Sequence, residues 1–355
     1  MRQTNNLHVV ATSPLVTPTE LKQKLPISER VAETVATTRD AIRAILQGED
    51  HRILAVVGPC SIHDVEAARD YAEHLLKARE EFAGHLLIVM RVYFEKPRTT
   101  TGWKGLINDP HLDDSHDMAT GLYLARKLLL DLAEAGLPSA TEMLDPITPQ
   151  YLAELVTWTG IGARTSESQT HREMASGLSM PVGFKNSTDG SIAPAVNAMS
   201  AALHPHRFLG IDAEGKVSIV STTGNPACHL VLRGGANAPN YDAESVEIAA
   251  KVLQQSNLST RIMIDCSHGN TQKDFRKQPL ALTSVATQIR AGSLHPMGVM
   301  IESNLVAGKQ TFPAPRQQLV YGQSITDPCV DFSTTHLMLR ELAEAVATRS
   351  STYFN

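Results

Sequence analysis

The feature that most constrains this chain is a series of short apolar runs separated by longer amphipathic stretches. Eight runs lie between residues 53 and 302, at 53–60, 87–93, 140–144, 161–164, 182–185, 230–233, 262–266 and 299–302. Runs of this length between helical segments are typical of parallel strands buried on both faces. Eight strand–helix units within about 250 residues predict an α/β fold, the (β/α)8 or TIM barrel.

Two further segments stand outside this rhythm. Residues 1–28 are polar and interrupted by prolines, so we expect an arm outside the core, followed by a helix over 29–48 that stops at Gly48. Residues 1–48 would then form an N-terminal extension and residues 49–355 the barrel. Strands at 207–211 and 216–221 flank Asp-Ala-Glu-Gly, which predicts a β-hairpin, about 207–222, inserted before the sixth barrel strand.

Composition excludes several classes of function. The net charge of −5 gives no sign of a nucleic-acid partner, and no apolar run is long enough to span a bilayer. The N-terminus lacks the apolar segment of a signal peptide, and four cysteines are too few for a disulfide framework in a chain this long. We therefore expect a cytoplasmic protein that binds neither nucleic acid nor membrane.

Side chains that bind anions or metals stand at or near the ends of the predicted strands. They are Cys60, Arg91, Glu142, Arg164, Lys185, Arg233, His268 and Glu302. In a barrel the carboxyl ends of the strands meet on one face, where active sites lie. Loops that begin at strand ends explain polarity there, but they do not explain this choice of cations and ligand types.

Cations form the larger part of this set. Six of them follow predicted strands, namely Arg91, Lys96, Arg98, Arg164, Lys185 and Arg233. Six like charges around one pocket repel one another unless a multiply charged anion binds there, and arginine and lysine both suit phosphate and carboxylate. Separate ion pairs with some of the 37 acidic residues are the alternative for any single cation.

A second group offers metal-ligand types. Cys60, His268, Glu302 and Asp327 supply one thiol, one imidazole and two carboxylates, a set that suits several first-row divalent ions. No local spacing such as Cys-x-x-Cys joins them, so a buried cysteine beside ordinary acids is the alternative. Cys60 and His63 as a nucleophile and its base form another, which their closeness in sequence disfavours.

Several long motifs, in order along the chain, resemble those of type I 3-deoxy-D-arabino-heptulosonate 7-phosphate (DAHP) synthases. RVYFEKPRTT over 91–100 continues into GWKGLINDP over 102–110. The others are GPCSIHD (58–64), IGART (161–165), PVGFKN (181–186), LRGG (232–235) and DCSHGN (265–270). The resemblance runs from about residue 29 to 345, and it implies a (β/α)8 barrel with an N-terminal extension and an inserted hairpin.

The resemblance also implies a reaction: the metal-dependent condensation of phosphoenolpyruvate with erythrose 4-phosphate and water, the first step of the shikimate pathway. The implied substrate-binding residues are Arg91, Lys96, Arg98, Thr99, Glu142, Gly162, Ala163, Arg164, Lys185 and Arg233, with Arg98 and Thr99 on the erythrose 4-phosphate side. Cys60, His268, Glu302 and Asp327 match the family's ligands for a divalent metal ion, which is Mn, Fe, Co or Zn. Lys96 is our hypothesised proton donor to the nascent alkoxide, and Cys60, His268 and Asp327 act with it in catalysis.

Feedback inhibition by an aromatic amino acid is implied as well. The matching positions are Asn6, from the arm of a neighbouring subunit, with Pro146, Gln150, Gly177, Ser179, Phe208, Gly210 and Val220. Pro146 and Gly210 resemble the residues of tyrosine-sensitive members at these positions. The physical rationale is that the missing side chain at 210 leaves room for a phenolic hydroxyl. A hairpin core filled by Phe208 and Val220 is the alternative. The resemblance further implies a homo-oligomer, a dimer or tetramer, with contacts through residues 1–48.

Two positions depart from the family pattern, and two rival functions remain. Thr101 stands where Val is common, and Ser187 where Gly is common, so the loop at Ser187 is in question if that Gly needs a positive φ. The nearest enzyme rival is 3-deoxy-D-manno-octulosonate 8-phosphate synthase, which uses the same enol donor. The other is a non-catalytic sensor of aromatic amino acids on the same fold.

Overall fold

The computed structural model describes residues 2–353. Its helices are α1 Pro18–Lys24, α2 Glu29–Gln47, α3 Val65–Glu81, α4 Met118–Glu134, α5 Thr148–Leu152, α6 Gln169–Ala175, α7 Ala193–Ala202, α8 Ala243–Gln255, α9 Gln278–Arg290 and α10 Phe332–Tyr353. Its strands are β1 Ile53–Gly58, β2 Leu86–Arg91, β3 Ser139–Glu142, β4 Trp158–Ile161, β5 Val182–Lys185, β6 Arg207–Ile211, β7 Val217–Ser221, β8 Cys228–Leu232, β9 Ile262–Asp265, β10 Pro296–Asn304, β11 Val306–Lys309, β12 Gln323–Ser324 and β13 Val330–Asp331.

Eight parallel strands close into a barrel. Their order is β1-β2-β3-β4-β5-β8-β9-β10, and β10 pairs with β1 to complete the ring. The closing pair places Gly58 opposite Glu302, so the loops after the first and last barrel strands begin side by side. The predicted (β/α)8 barrel is confirmed.

Alternating side chains of the barrel strands enter two separate apolar layers. In β1, Leu54 and Val56 join a cluster inside the barrel, whereas Ile53 and Val57 join the cluster between strands and helices. Burial of each such aliphatic side chain stabilises the fold by about 1.5–3 kcal/mol. Both faces of a strand such as β1 are therefore apolar, which is why such strands appear in the sequence as unbroken runs.

The helix α2 closes the amino-terminal end of the barrel. Its Ile42 and Ile45 are buried in the interior cluster with Leu54 and Trp158. Ser28 caps the helix by accepting a hydrogen bond from the Val31 amide, and Gly48 ends it with a φ of 82°. The helix predicted over 29–48 is confirmed, and its role as a plug follows only from the structure.

Two predictions about strands and core are wrong. Residues 1–28 are not all outside the core, because α1 begins at a capping box of Thr17 and Glu20 and buries Leu21 and Leu25. The fourth barrel strand, β4, ends at residue 161, where the sequence predicted that it would start. Its Thr159 and Gly160 break the apolar run although both are buried.

The predicted hairpin is confirmed as the antiparallel pair β6–β7, in which Phe208 faces Val220. Its outer face is apolar yet exposed, with Leu209, Val217 and Ile219 at 79%, 81% and 74% exposure. Among the described residues, no helix combines the length and apolar character that crossing a membrane requires.

Candidate active site

A cavity of about 630 Å³ opens at the carboxyl ends of the barrel strands. All ten predicted substrate-binding residues line it: Arg91, Lys96, Arg98, Thr99, Glu142, Gly162, Ala163, Arg164, Lys185 and Arg233. His268, Glu302 and Asp327 line it too. Cys60 is fully buried beside it, with Sγ 3.2 Å from Lys96 Nζ. The side chains that stand at the ends of the predicted strands therefore line or adjoin one cavity.

Within the described part of the chain, two of the six cations have a carboxylate partner. Arg91 contacts Glu302 at 3.0 Å and Lys185 contacts Asp265 at 2.9 Å, and all four side chains are buried. Among the described residues, no carboxylate oxygen lies within 4.0 Å of a side-chain nitrogen of the remaining four, which are Lys96, Arg98, Arg164 and Arg233. Separate ion pairs thus fail as a general explanation, and the cavity carries unbalanced positive charge.

Arg91 is held rigidly at the floor of the cavity. Its guanidinium lies 3.5 Å over the ring of Tyr93 and donates to the carbonyl oxygens of Pro59 and Cys60. Burial alone would raise the pKa of Glu302, but the charges of His268 and Arg91 outweigh it and lower that pKa. Glu302 therefore stays ionised at neutral pH, which an anionic metal ligand requires.

The Cys60 thiol lies between groups of opposite charge. Burial, helped by the charge of Glu302, raises its pKa to about 11, while Lys96 opposes the rise. The thiol is thus protonated at neutral pH unless a cation binds it. Metal ions bind the thiolate, so binding would release this proton.

Three of the four predicted metal ligands lie together. One ligand atom each of Cys60, Glu302 and Asp327 falls within 4.8 Å of the others. His268 adjoins this group, with Nε2 3.6 Å from Oε1 of Glu302 and Nδ1 2.8 Å from Oδ2 of Asp265. A carboxylate beside the second ring nitrogen is the usual way in which a metal-binding histidine is oriented.

The loop after β2 and the loop after β4 meet across the cavity mouth. Arg164 donates to the Thr99 hydroxyl at 2.9 Å, which brings the two predicted substrate sides into contact. A Cβ added to Gly162 would lie 2.5 Å from Oε1 of Glu142. That oxygen is buried without a hydrogen-bond partner among the described residues, so it is available to a bound polar group or water.

The two departures from the family pattern fit the fold. Ser187 has no positive φ, and its amide donates to the Ser191 carbonyl oxygen at 3.0 Å. Its hydroxyl also bonds Asp189, so the side chain closes the loop rather than distorting it. Thr101 lines the cavity.

The predicted effector residues lie in several elements. Phe208, Gly210 and Val220 lie in the hairpin, where a Cβ on Gly210 would meet Val220 Cγ2 at 2.7 Å. Gly177 lies against the hairpin, because a Cβ there would meet Thr222 at 2.6 Å, and Ser179 accepts from Arg43. Pro146 and Gln150 flank the start of α5, and Asn6 is exposed in the N-terminal arm.

Sequence reasoning missed the residues that support the site. Asp265 binds both Lys185 and His268, and Tyr93 lies under Arg91. Asp265 did carry a signal, since a carboxylate inside an apolar strand is rarely buried without a partner. Tyr93 carried none beyond its place after β2.

Comparisons with known proteins agree with this geometry. The profile of a family described as the DAHP synthetase I family matches residues 24–340. A Tyr-sensitive phospho-2-dehydro-3-deoxyheptonate aldolase of Escherichia coli is 53% identical over 338 residues, which cover 95% of each chain. The Phe-sensitive enzyme of the same species is 52% identical over 347 residues, covering 98% of this chain and 99% of that one.

A solved structure extends the similarity to three dimensions. The phospho-2-dehydro-3-deoxyheptonate aldolase of Francisella tularensis superposes with a TM-score of 0.94 at 51% identity, covering 96% of this chain and 99% of that one. Profile, relatives and structure each span nearly the whole barrel and the site within it. This chain therefore belongs to the DAHP synthetase I family.

Proposed function

We propose that this protein condenses phosphoenolpyruvate with D-erythrose 4-phosphate and water, giving DAHP and inorganic phosphate in the first step of the shikimate pathway. The observation that carries the proposal is a group of four cations that have no carboxylate partner among residues 2–353, around a cavity that adjoins thiol and carboxylate donors. Two phosphates and one carboxylate supply the negative charge that this cavity lacks.

Phosphoenolpyruvate occupies the deep side of the cavity in this proposal. Arg91 and Lys185 are fixed there by buried carboxylates, so little side-chain entropy is lost when an anion binds. Lys96, Arg164 and Arg233 complete the anion site, and the backbone of Gly162 and Ala163 borders it.

Erythrose 4-phosphate occupies the outer side. Arg98 and Thr99 are exposed at the mouth, where a phosphate arriving from solvent meets them first. The bond from Arg164 to Thr99 holds this loop against the other subsite. Holding two reactants in register supplies about 7–11 kcal/mol in favourable intramolecular systems.

A divalent metal ion fits the donor set. Cys60, Glu302, Asp327 and the adjoining His268 would hold it, and this mixture of thiol, imidazole and carboxylate admits Mn, Fe, Co or Zn. When bound, the ion supplies Lewis-acid stabilisation of negative charge on the aldehyde oxygen.

The protein's own groups position the reactants and move one proton. C3 of phosphoenolpyruvate attacks the aldehyde carbon, and we assign Lys96 as the donor of the proton that the new alkoxide takes up. Burial would lower the pKa of Lys96, but the charges of Cys60 in its thiolate form and of Glu302 raise it above its ordinary value, so the ammonium carries its proton. The attack leaves C2 oxocarbenium-like, so water adds there, and the proton that this water loses leaves with phosphate when the bond from C2 to the phosphate oxygen breaks. Glu142 borders this region, and its Oε1, which has no hydrogen-bond partner among the described residues, faces Gly162.

The test is consumption of phosphoenolpyruvate by chelator-treated protein, with and without Mn²⁺ and with and without erythrose 4-phosphate. Consumption that requires both additions supports the proposal. Replacing erythrose 4-phosphate with arabinose 5-phosphate tests the octulosonate 8-phosphate synthase alternative. Turnover with arabinose 5-phosphate but not with erythrose 4-phosphate would favour that enzyme. Folded protein without turnover on any divalent ion would favour the sensor.

We also propose that tyrosine inhibits the enzyme by binding beside the hairpin at Pro146, Gln150, Gly177, Ser179, Phe208, Gly210 and Val220, with Asn6 of a second copy. The Tyr-sensitive and Phe-sensitive relatives are almost equally similar, so overall identity does not choose between effectors. Gly210 supports tyrosine, because the absence of a side chain there leaves room for a phenolic hydroxyl. Inhibition by phenylalanine but not tyrosine would contradict this assignment.

A homo-oligomer, dimer or tetramer, is part of the proposal. The exposed apolar face of Leu209, Val217 and Ile219 supports it, because water contact with such a face is unfavourable. Light scattering on the wild type and on Ile219→Lys tests it, and an unchanged mass would contradict the role of this face. The four free, buried cysteines suit the cytoplasm as the site of the activity.

A further inference from the structure

Three asparagine side chains join the carboxyl ends of β5, β8 and β9 behind the cavity. Asn186 is fully buried, Asn270 is 4% exposed and Asn240 is half-buried. None of the three lines the cavity, and no step of the proposed reaction uses them. We call Asn186, Asn240 and Asn270 the amide network.

Asn186 fixes both ends of the arginine that follows β8. Its Oδ1 accepts from the backbone amide of Arg233 at 2.8 Å, and its Nδ2 donates to the carbonyl oxygen of Gly234 at 3.1 Å. The Arg233 guanidinium donates to that same carbonyl oxygen at 3.2 Å. The carbonyl that orients the guanidinium is therefore itself held by Asn186.

The other two amides lock this turn to the neighbouring strands. Asn240 accepts from the Gly234 amide at 2.7 Å and donates to Oδ1 of Asn186 at 3.3 Å. Asn270 donates to the carbonyl oxygens of Leu232 at 3.2 Å and Asp265 at 2.7 Å. The backbone amide of Asn240 donates to Oδ1 of Asn270 at 2.8 Å, which closes the set.

The turn has no space in which to relax. Gly234 has a φ of 75°, and a Cβ there would lie 2.3 Å from the Asn270 amide nitrogen. Arg233 also has no carboxylate within 4.0 Å among the described residues, so hydrogen bonds to backbone, not an ion pair, set its direction.

We propose that the amide network positions Arg233 for an anionic group of phosphoenolpyruvate, an inference that rests on the proposed function. Arg233 reaches the substrate and the network does not, so the asparagines are positioning residues. Small errors in placing a binding group reduce turnover strongly, by about 100-fold for 1 Å in sensitive cases.

The test compares Asn186→Ala and Asn240→Ala with the wild type in steady-state assays with Mn²⁺. We expect the KM for phosphoenolpyruvate to rise by about tenfold, with the KM for erythrose 4-phosphate changed by less than about twofold. Asn240 is half-buried, so Asn240→Ala decides the question if Asn186→Ala does not fold.

Asn225 provides a matched control at the opposite end of β8. It is 5% exposed and donates to the carbonyl oxygens of Ala175, Leu178 and Met180 at 3.3, 3.0 and 3.0 Å. Asn225→Ala should lower Tm without a selective rise in either KM. If the network variants behave in the same way, their role is structural and the proposal is overturned.

A double-mutant cycle asks whether the network acts through Arg233. On an Arg233→Ala background, Asn186→Ala should add little to the KM for phosphoenolpyruvate, because the group it positions is gone. Additive effects overturn the proposal. Calorimetry of phosphoenolpyruvate binding in the presence of Mn²⁺ measures the same additivity without turnover. A wild type that binds phosphoenolpyruvate but is inactive would therefore contradict the proposed function, and the role of the network could still be tested.

Discussion

His229 should make the stability of this protein depend on pH in a way that one substitution removes. The imidazole is fully buried in β8, where its Nε2 accepts from the indole N–H of Trp158 at 2.8 Å. Burial lowers its pKa to about 4, from an ordinary value of 6.5. Between these two values the folded imidazole is neutral while the unfolded one is protonated.

The sign and size of the effect follow from that difference. The unfolded chain binds the extra proton, so the free energy of unfolding falls as the pH drops from 6.5 towards 4. Linkage gives a loss of about 2 kcal/mol between pH 7.5 and pH 5, and about 3 kcal/mol below pH 4. His63, whose pKa burial also lowers to about 4, contributes in the same direction, so only a difference between variants isolates His229.

His229→Gln keeps an acceptor for Trp158 and removes the titration. Urea unfolding of the wild type and of this variant at pH 7.5 and pH 5, in the same metal concentration, measures the difference. The wild type should lose about 2 kcal/mol more than the variant over this interval. An equal loss in both proteins would show that the buried imidazole does not titrate as its surroundings require.

Three other substitutions test the site. Lys96→Met should lower kcat by about 100-fold or more while calorimetry still detects Mn²⁺ and phosphoenolpyruvate, and retained turnover would contradict its role as proton donor. Arg98→Ala should raise the KM for erythrose 4-phosphate by at least about tenfold and spare that for phosphoenolpyruvate, whereas equal changes would place Arg98 elsewhere. Gly210→Ser should press on Val220 and raise the tyrosine concentration for half-inhibition by about tenfold in the same assay, and unchanged inhibition would separate this position from the effector.

The fold was predictable where burial leaves a mark on the sequence. Seven barrel strands coincide with predicted apolar runs because both of their faces are buried. The prediction failed at β4, where Thr159 and Gly160 are buried but not apolar. It also failed at Leu21, since three prolines hid a short capped helix whose few apolar residues show no period.

The cavity was predictable for a different reason. The carboxyl ends of parallel strands meet, so one-dimensional order gives three-dimensional proximity for residues such as Arg91 and Lys185. Strand order does not say which of the side chains on that face pair with one another, as Asp265 and Lys185 do. The role of an amide side chain such as Asn186 is harder still to predict. It depends on which backbone groups the amide hydrogen-bonds, and those groups are known only once the chain has folded.

Because α2 closes one end of the barrel, ligands do not pass through the barrel from end to end. Ile42 and Ile45 fill the end of the barrel opposite the cavity and close it. Both reactants and both products of the proposed reaction then pass through the cavity mouth, which Arg98 and Thr99 border. The release of phosphate and of the sugar phosphate through this mouth therefore governs how soon the next pair of substrates can bind. A group that closes the mouth would stop turnover.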